Sequence, residues 1–465
     1  MTDKPHEACG VFGIYAPGED VARIAYFAIY TLQHRGQESA GIATGDGNRI
    51  SLHARMGLVA QVFSEEVLSG LSGKVAIGHN RYSTTGSSKV INAQPMLMDG
   101  PHGSIAVGHN GNLVNTASLR SQMVAEGHTF VTTSDTELIA KLFATSPGAD
   151  WIERIRASMQ RMRGAYSVVA MTEDALFVVR DPWGVRPLCL GNLKGRWVVA
   201  SETCALDTIG ADFVRDVEPG EIIRIDANGL HSEVGQPSPR LSLCIFEFIY
   251  FARPDSVVDG RLLYLAREDM GSLLAREYPV DADLVIGVPD SATAAGIGYA
   301  RESGIPFSEG LIKSRYIGRT FIQPEQRLRE VGINLKFNPM AEVLRGKRVV
   351  VVDDSIVRGT TTRPIVRLLR RAGAREVHVR ISSPPYSYSC VLGVDTARRN
   401  ELIAARMSVP EIERYIEADS LGYLSRQGLL AAIGRPSHHF CQACFTGEYP
   451  MLVESDVDKL ALERT

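Results

Sequence analysis

One stretch restricts the fold of this chain more than any other: Arg348-Val-Val-Val-Val-Asp-Asp-Ser-Ile-Val-Arg-Gly-Thr-Thr. Four consecutive valines suit a strand buried on both faces, because a half-exposed strand would alternate with polar residues. The turn after it holds Gly359 and opens a helical pattern at Thr361–Ala372. A further short apolar strand follows at Val377–Ile381. The same grammar occurs earlier, where Asp283-Leu-Val-Ile-Gly-Val-Pro precedes a helix of small residues beginning near Ser291. Strands alternating with helices imply a parallel sheet covered on both faces. In such sheets ligands bind at the carboxyl ends of the strands. The C-terminal tail reads as two helices, around Ala397–Asp419 and Leu421–Ile433.

Before about Val234 the pattern differs. Short apolar runs broken by glycine, such as Cys9-Gly-Val-Phe-Gly-Ile-Tyr, Lys74-Val-Ala-Ile-Gly and Ser167-Val-Val-Ala-Met, read as strands of a sheet-rich unit. Helical patterns intervene at Val21–His34, Ser134–Phe143 and Trp151–Met162, and Ser134 with Glu137 has the spacing of a capping box. The cluster Gly235-Gln-Pro-Ser-Pro-Arg reads as a linker. With 465 residues, two domains of roughly 200 residues each are expected.

The chain is 45% hydrophobic and 22% charged, with a formal net charge of -3. No basic excess exists to neutralise phosphates along a nucleic acid, so no such partner is expected. The most apolar segment, Leu243–Phe251, is short and contains Glu247, so no membrane span is expected. Met1–Ala8 is polar and has no signal-peptide core, which points to the cytoplasm. There the seven cysteines stay reduced and are catalytic, metal-binding or buried rather than disulfide-bonded.

Asp353 and Asp354 end the valine strand, where two carboxylates suit ribose hydroxyls and a divalent cation. An isolated Asp-Asp need be no more than a polar turn. The complete string resembles the phosphoribosyl pyrophosphate motif of type I phosphoribosyltransferases. The resemblance implies that Asp353 and Asp354 hold the ribose and Mg²⁺. Ser355, Ile356, Val357, Arg358, Gly359, Thr360 and Thr361 would form the 5-phosphate loop, whose N–H groups and helix start suit an anion. Ser291, in Gly287-Val-Pro-Asp-Ser-Ala-Thr, offers a further oxygen ligand near the metal. The cation-rich stretch Lys313–Lys336 carries Lys313, Arg315, Arg319, Arg327 and Lys336. Beside a pyrophosphate site it reads as a closing lid that excludes water.

Cys9-Gly-Val-Phe-Gly-Ile, His34-Arg-Gly-Gln-Glu-Ser-Ala-Gly-Ile, Gly78-His-Asn-Arg-Tyr-Ser-Thr, Gly108-His-Asn-Gly-Asn and Ser134-Asp-Thr-Glu occur in that order. They resemble the motifs of the N-terminal-nucleophile glutamine amidotransferases. A thiol nucleophile needs a base, and a free α-amino group, with a pKa of about 7.7–8.0, is partly neutral at pH 7. The likeness therefore implies removal of residues 1–8, so that Cys9 supplies both thiol and base. It also implies that Arg81 and Asp135 hold the α-carboxylate and α-amino groups of glutamine, and that Asn110 and Gly111 form the oxyanion hole.

A glutaminase joined to a phosphoribosyltransferase resembles the glutamine phosphoribosylpyrophosphate amidotransferases. The likeness covers Cys9 to about Pro450, including the junction string Phe246-Glu-Phe-Ile-Tyr-Phe-Ala-Arg-Pro-Asp-Ser. It implies an αββα sandwich over 9–236 followed by a parallel α/β domain with C-terminal helices over 237–465, after a propeptide 1–8. It further implies ammonia transfer from glutamine to phosphoribosyl pyrophosphate in purine biosynthesis, inhibition by purine nucleotides and a homo-tetramer. Cys244, Cys390 and the pair Cys441-Gln-Ala-Cys444 match the four ligands of the family's iron–sulfur subtype. Four thiolates by themselves suit a [4Fe–4S] cluster or zinc; the family selects the cluster. Cys189 and Cys204 match no motif and are expected in the core.

Overall fold

The structure, a computed structural model, describes residues 9–82, 88–314, 336–394 and 399–453. Two antiparallel sheets dominate the first half. One has seven strands, in the spatial order Asp212–Asp216, Cys189–Leu193, Arg196–Ala200, Gly10–Tyr15, Val75–Arg81, Ser39–Gly45 and Ile50–Met56. The other has six, in the order Gly229–Val234, Glu221–Asp226, Leu176–Arg180, Gly164–Met171, Gly103–Leu113 and Met96–Gly100.

The period of two along a strand explains the layering. In Gly10–Tyr15, Val11 points into the core between the sheets, with Val75, Ile77, Ala106 and Val169. Phe12 and Ile14 point the other way, against Ala22, Ala25 and Ile29 of the Val21–Thr31 helix. Ile105, Val107 and Val168 of the second sheet likewise meet Leu138, Leu142 and Ile155 of the helices Asp135–Thr145 and Trp151–Arg161. Both faces of both sheets are covered, giving the expected helix–sheet–sheet–helix sandwich.

The second half builds a parallel sheet in the order Leu284–Gly287, Arg348–Asp353, Glu376–Ile381 and Ser420–Tyr423. Its valines are fully buried, as a doubly covered strand requires. One core runs across the junction: Val114, Ala165 and Val185 from the first half share it with Phe246, Phe248, Tyr386, Leu392 and Phe440. No described helix is long and apolar enough to cross a membrane.

Three local expectations change. Ser420–Tyr423 is a strand and not the start of a helix; the helix is Arg426–Ile433. Its pairing with Glu376–Ile381 is a long-range contact that overrides the local pattern. The helix expected over 397–419, of which 397 and 398 lie outside the described residues, is from 399 onward two 3₁₀ turns, Arg399–Glu401 and Ile403–Ala405, followed by a helix at Val409–Ile416. Ser408 and Glu411 form the capping box that starts this helix so late. At Ser134 the hydroxyl does cap its helix, accepting from Thr136 N–H. Glu137 does not close a box, because its carboxylate accepts from the N–H groups of Val131 and Thr132 at 2.9 and 2.7 Å.

Candidate functional site

Cys9 precedes the central strand Gly10–Tyr15, whose neighbour Val75–Arg81 ends beside it. Its Sγ lies 3.4 Å from both the carbonyl oxygen and the N–H of Tyr82. The cleft around it is lined by Cys9, Arg81, Tyr82, Gln94, His109, Gly111, Ser134 and Asp135. Four residues singled out in the sequence, Cys9, Arg81, Gly111 and Asp135, therefore meet in one place. Asn110 adjoins it in the strand Gly103–Leu113. Its side chain is fully buried, and among the described residues both amide atoms lack a hydrogen-bond partner. Such a group is costly unless something completes it, and an anionic oxygen would satisfy the Nδ2 donor.

Asp135 is tied down at the start of its helix. Its Oδ2 accepts from Leu113 N–H at 3.2 Å, and Oδ1 lies 3.7 Å from His109 Nδ1. Arg81 is buried, 3.7 Å from Glu38. A guanidinium and a carboxylate facing one small cleft suit a zwitterion. Burial pushes the Cys9 thiol pKa up, only partly offset by the Tyr82 N–H and the Arg81 charge. Gln94 and His109 escaped the sequence reading as cleft residues. Gln94 carries no motif; its Oε1 accepts from His109 N–H at 2.8 Å, a contact between the bend before the strand Met96–Gly100 and the strand Gly103–Leu113.

The second site lies where adjacent parallel strands end. Gly287 pairs with Val352, so the loop carrying Ser291 and the loop that follows Asp353 leave the sheet side by side. Asp353 and Asp354 are buried; Asp353 Oδ1 accepts from Asp354 N–H at 2.9 Å, and Asp354 Oδ1 accepts from Ser355 Oγ at 2.7 Å. Ser355, Ile356 and Val357 are buried, and Arg358 pairs with Glu401 at 2.9 Å. Gly359 has φ +74°, and the ten-residue helix Thr362–Arg371 begins three residues later. Lys313 Nζ bonds Asp290 Oδ2 at 2.6 Å, next to Ser291. Lys336 stacks on the Phe337 ring. The lid candidates Arg315, Arg319 and Arg327 lie outside the described residues.

Cys244 and Cys441 are directly paired between two short parallel strands. Burial pushes the Cys244 thiol up to about 11, and raises those of Cys441 and Cys444 as well; neighbouring sulfurs of the set contribute in each case. Cys390 is one of those neighbours. Such thiols keep their protons unless a cation replaces them. Among the described residues no group of three or more His, Cys, Asp or Glu side chains is arranged to hold a metal ion. The fully buried Arg186 stands by this nest: burial opposes its charge, while Cys244, Glu247 and Cys390 favour it. Among the described residues its Nε is buried without a partner. Cys189 and Cys204 are core residues, as expected.

Comparison with known proteins follows this division. Residues 79–208 match a glutamine amidotransferase domain model and residues 259–382 a phosphoribosyl transferase domain model. The amidophosphoribosyltransferase of Synechococcus elongatus is 54% identical over 99% of this chain and 95% of its own length. That of Mycobacterium tuberculosis strain H37Rv is 50% identical over 97% of this chain and 87% of its own. The solved glutamine phosphoribosylpyrophosphate amidotransferase of B. subtilis, complexed with ADP and GMP, superposes with a TM-score of 0.92. It is 48% identical and covers 98% of this chain and 100% of that one.

Proposed function

The chain belongs to the amidophosphoribosyltransferase family, and on that premise we propose how its residues divide the reaction. It is a glutamine-dependent enzyme of purine biosynthesis that transfers ammonia to phosphoribosyl pyrophosphate. The proposed division runs 1–8 as propeptide, 9–236 as glutaminase and 237–465 as phosphoribosyltransferase with C-terminal helices.

After removal of residues 1–8, the Cys9 α-amine takes the thiol proton and the thiolate attacks the glutamine side-chain amide. Arg81 and Asp135 bind the α-carboxylate and α-amino groups. The Asn110 amide and Gly111 N–H receive the oxyanion. Ammonia leaves with the proton returned by the amine, and water then releases glutamate from the thioester. At the second site Asp353 and Asp354 orient the ribose, and 355–361 grip the 5-phosphate at the turn before the helix. The lid Lys313–Lys336, through Lys313, Arg315, Arg319, Arg327 and Lys336, closes over the pyrophosphate. Ammonia attacks C1 as pyrophosphate departs, giving 5-phosphoribosylamine. The observation that carries this reading is the meeting of Cys9, Arg81, Gly111 and Asp135 in one cleft.

Two buried carboxylates and Ser291 fit Mg²⁺, which is held through one or two carboxylates together with substrate phosphates. When bound it would neutralise the leaving pyrophosphate. Cys244, Cys390, Cys441 and Cys444 would hold a [4Fe–4S] cluster, which would tie the C-terminal tail to the junction. The orphaned Arg186 Nε supports an anionic, sulfur-rich group there. Four thiolates by themselves suit a [4Fe–4S] cluster or zinc, and the resemblance to the family's iron–sulfur subtype selects the cluster. The ADP and GMP in the B. subtilis structure support purine nucleotides as inhibitors. A cytoplasmic homo-tetramer completes the proposal.

The test is Cys9→Ala. Glutamine-dependent turnover should vanish, while turnover with free ammonia stays within about twofold. Loss of both would sink the two-site division.

A further inference from the structure

Two arginines of the first domain, Arg35 and Arg186, are completely buried. Neither lines the cleft at Cys9, yet each bonds to backbone beside it. Arg35 Nε donates to the Cys9 carbonyl at 3.1 Å. Arg186 Nη2 donates to the Leu392 carbonyl at 2.9 Å. Leu392 precedes Gly393, which packs closely against the Gly111 peptide. A methyl group added at Gly393 would sit 2.8 Å from the Gly111 carbonyl carbon and 3.0 Å from its Cα. Asn112 Nδ2 fastens the same strip by donating to the Val391 carbonyl at 2.8 Å. Residues 391–393 of the second domain thus form the backing of a peptide in the first.

One carboxylate joins the two arginines. Glu247 Oε1 accepts from Arg35 Nη2 at 2.8 Å and from Arg186 Nη1 at 3.4 Å, and its Oε2 accepts from Arg35 Nη1 at 3.0 Å. A second buried carboxylate, Glu202, pairs with Arg35 and His34. Glu247 opens a five-residue π-helical turn, Glu247–Phe251. Arg267 braces that turn, donating to the carbonyls of Phe248, Ala252 and Glu247 at 2.9, 2.7 and 3.4 Å. Widened helical turns of this kind are costly and occur often where a side chain must be placed for function. Its use here is to put one anion between two guanidinium groups that reach different parts of the same catalytic centre.

We propose that Glu247 is a positioning residue of the glutaminase half-reaction. Through Arg35 it fixes the main chain of the nucleophile. Through Arg186, Leu392 and Gly393 it fixes the peptide that carries the oxyanion donor. The glutaminase centre is therefore completed by the phosphoribosyltransferase side of the junction. The proposal rests on the roles given above to Cys9 and Gly111.

The experiment compares full-length Glu247→Gln and Gly393→Ala with wild type, with iron measured in each preparation. Glu247→Gln keeps the shape and removes the charge. Gly393→Ala presses on the Gly111 peptide, and the left-handed φ of +95° at that position adds strain. In both, kcat with glutamine should fall on the order of 100-fold, the scale of a displaced oxyanion donor. KM for glutamine should stay within about threefold, because Arg81 and Asp135 are untouched. Turnover with ammonia should stay within about twofold and iron should be retained. Alkylation of Cys9 by iodoacetamide, followed on its peptide by mass spectrometry, should slow in Glu247→Gln and stay unchanged in Gly393→Ala. If Glu247→Gln yields no soluble protein, Gly393→Ala decides alone. Parallel loss of both activities, or loss of iron together with glutamine use, assigns these residues to the fold alone and overturns the proposal. Wild-type kcat in the variants does the same. If Cys9→Ala retained glutamine use, the failure would lie in the site assignment instead.

Discussion

Gly359→Ala tests the proposed 5-phosphate loop through its backbone. Gly359 has φ +74°, a left-handed conformation that costs a residue with a Cβ roughly 1–2 kcal/mol. The new methyl would also sit 2.9 Å from Ile403 Cδ1 and 3.1 Å from the Tyr415 ring. Ile403 Cδ1 is the end of a flexible side chain, so relief by rotation costs about 0.5–1.5 kcal/mol. Together these give about 1.5–3.5 kcal/mol, a factor on the order of 10–300. Ser355, Ile356 and Val357 anchor the entrance of the loop by burial, whereas Gly359 meets only side-chain ends. The cost should therefore fall mainly on the loop conformation that receives the phosphate. The assay is ammonia-dependent turnover against phosphoribosyl pyrophosphate concentration at fixed Mg²⁺, which bypasses the glutaminase. KM for the sugar should rise by about that factor, with glutaminase turnover measured alone much less affected. If the surroundings lock the loop beforehand, the same cost appears as a lower Tm. A variant with both KM and Tm at the wild-type values would refute the strain argument.

Mass spectrometry of the active enzyme should find Cys9 at the N-terminus; retention of residues 1–8 would remove the proposed base. Anaerobically purified protein should be brown, with about four irons per chain, and Cys441→Ser should give insoluble or unstable protein; a colourless, zinc-loaded, fully active enzyme would overturn the cluster. The Glu202 carboxyl is raised by burial, but His34 and Arg35 outweigh that and hold it well below the ordinary carboxylate range. Its contribution is thus fully present above an unfolded pKa of about 4.3 and is lost as pH falls through the depressed folded value. Glu202→Gln, which leaves Arg35 with Glu247 in place of two carboxylate partners, should cost roughly 1–3 kcal/mol in denaturant unfolding at pH 7. That gap should shrink steadily below about pH 4.3, and a gap that does not change with acid would contradict the assignment.

Some of this protein is settled by the chain as written. The strand Arg348–Asp353 and the helix Thr362–Arg371 lie where valine runs and turn residues put them. Their determinants are local, and the proposed phosphate loop is one uninterrupted segment between them. The motifs holding Cys9, Arg81, Gly111 and Asp135 were visible for the same reason, each being a short string with its own turn chemistry. The tail was misread where pairing outweighs propensity: Ser420–Tyr423 becomes a strand because Glu376–Ile381 offers it an open edge. Glu137 has a capping-box spacing, yet the N–H groups of Val131 and Thr132 take its carboxylate. Nothing in the string Phe246-Glu-Phe-Ile-Tyr marks Glu247 as more than an interruption of an apolar run. A charge can be buried only where partners surround it. Those partners, Arg35 and Arg186, stand 212 and 61 residues away along the chain. Their meeting is decided by how the sandwich and the parallel domain close around a shared core, and no local pattern encodes that closure.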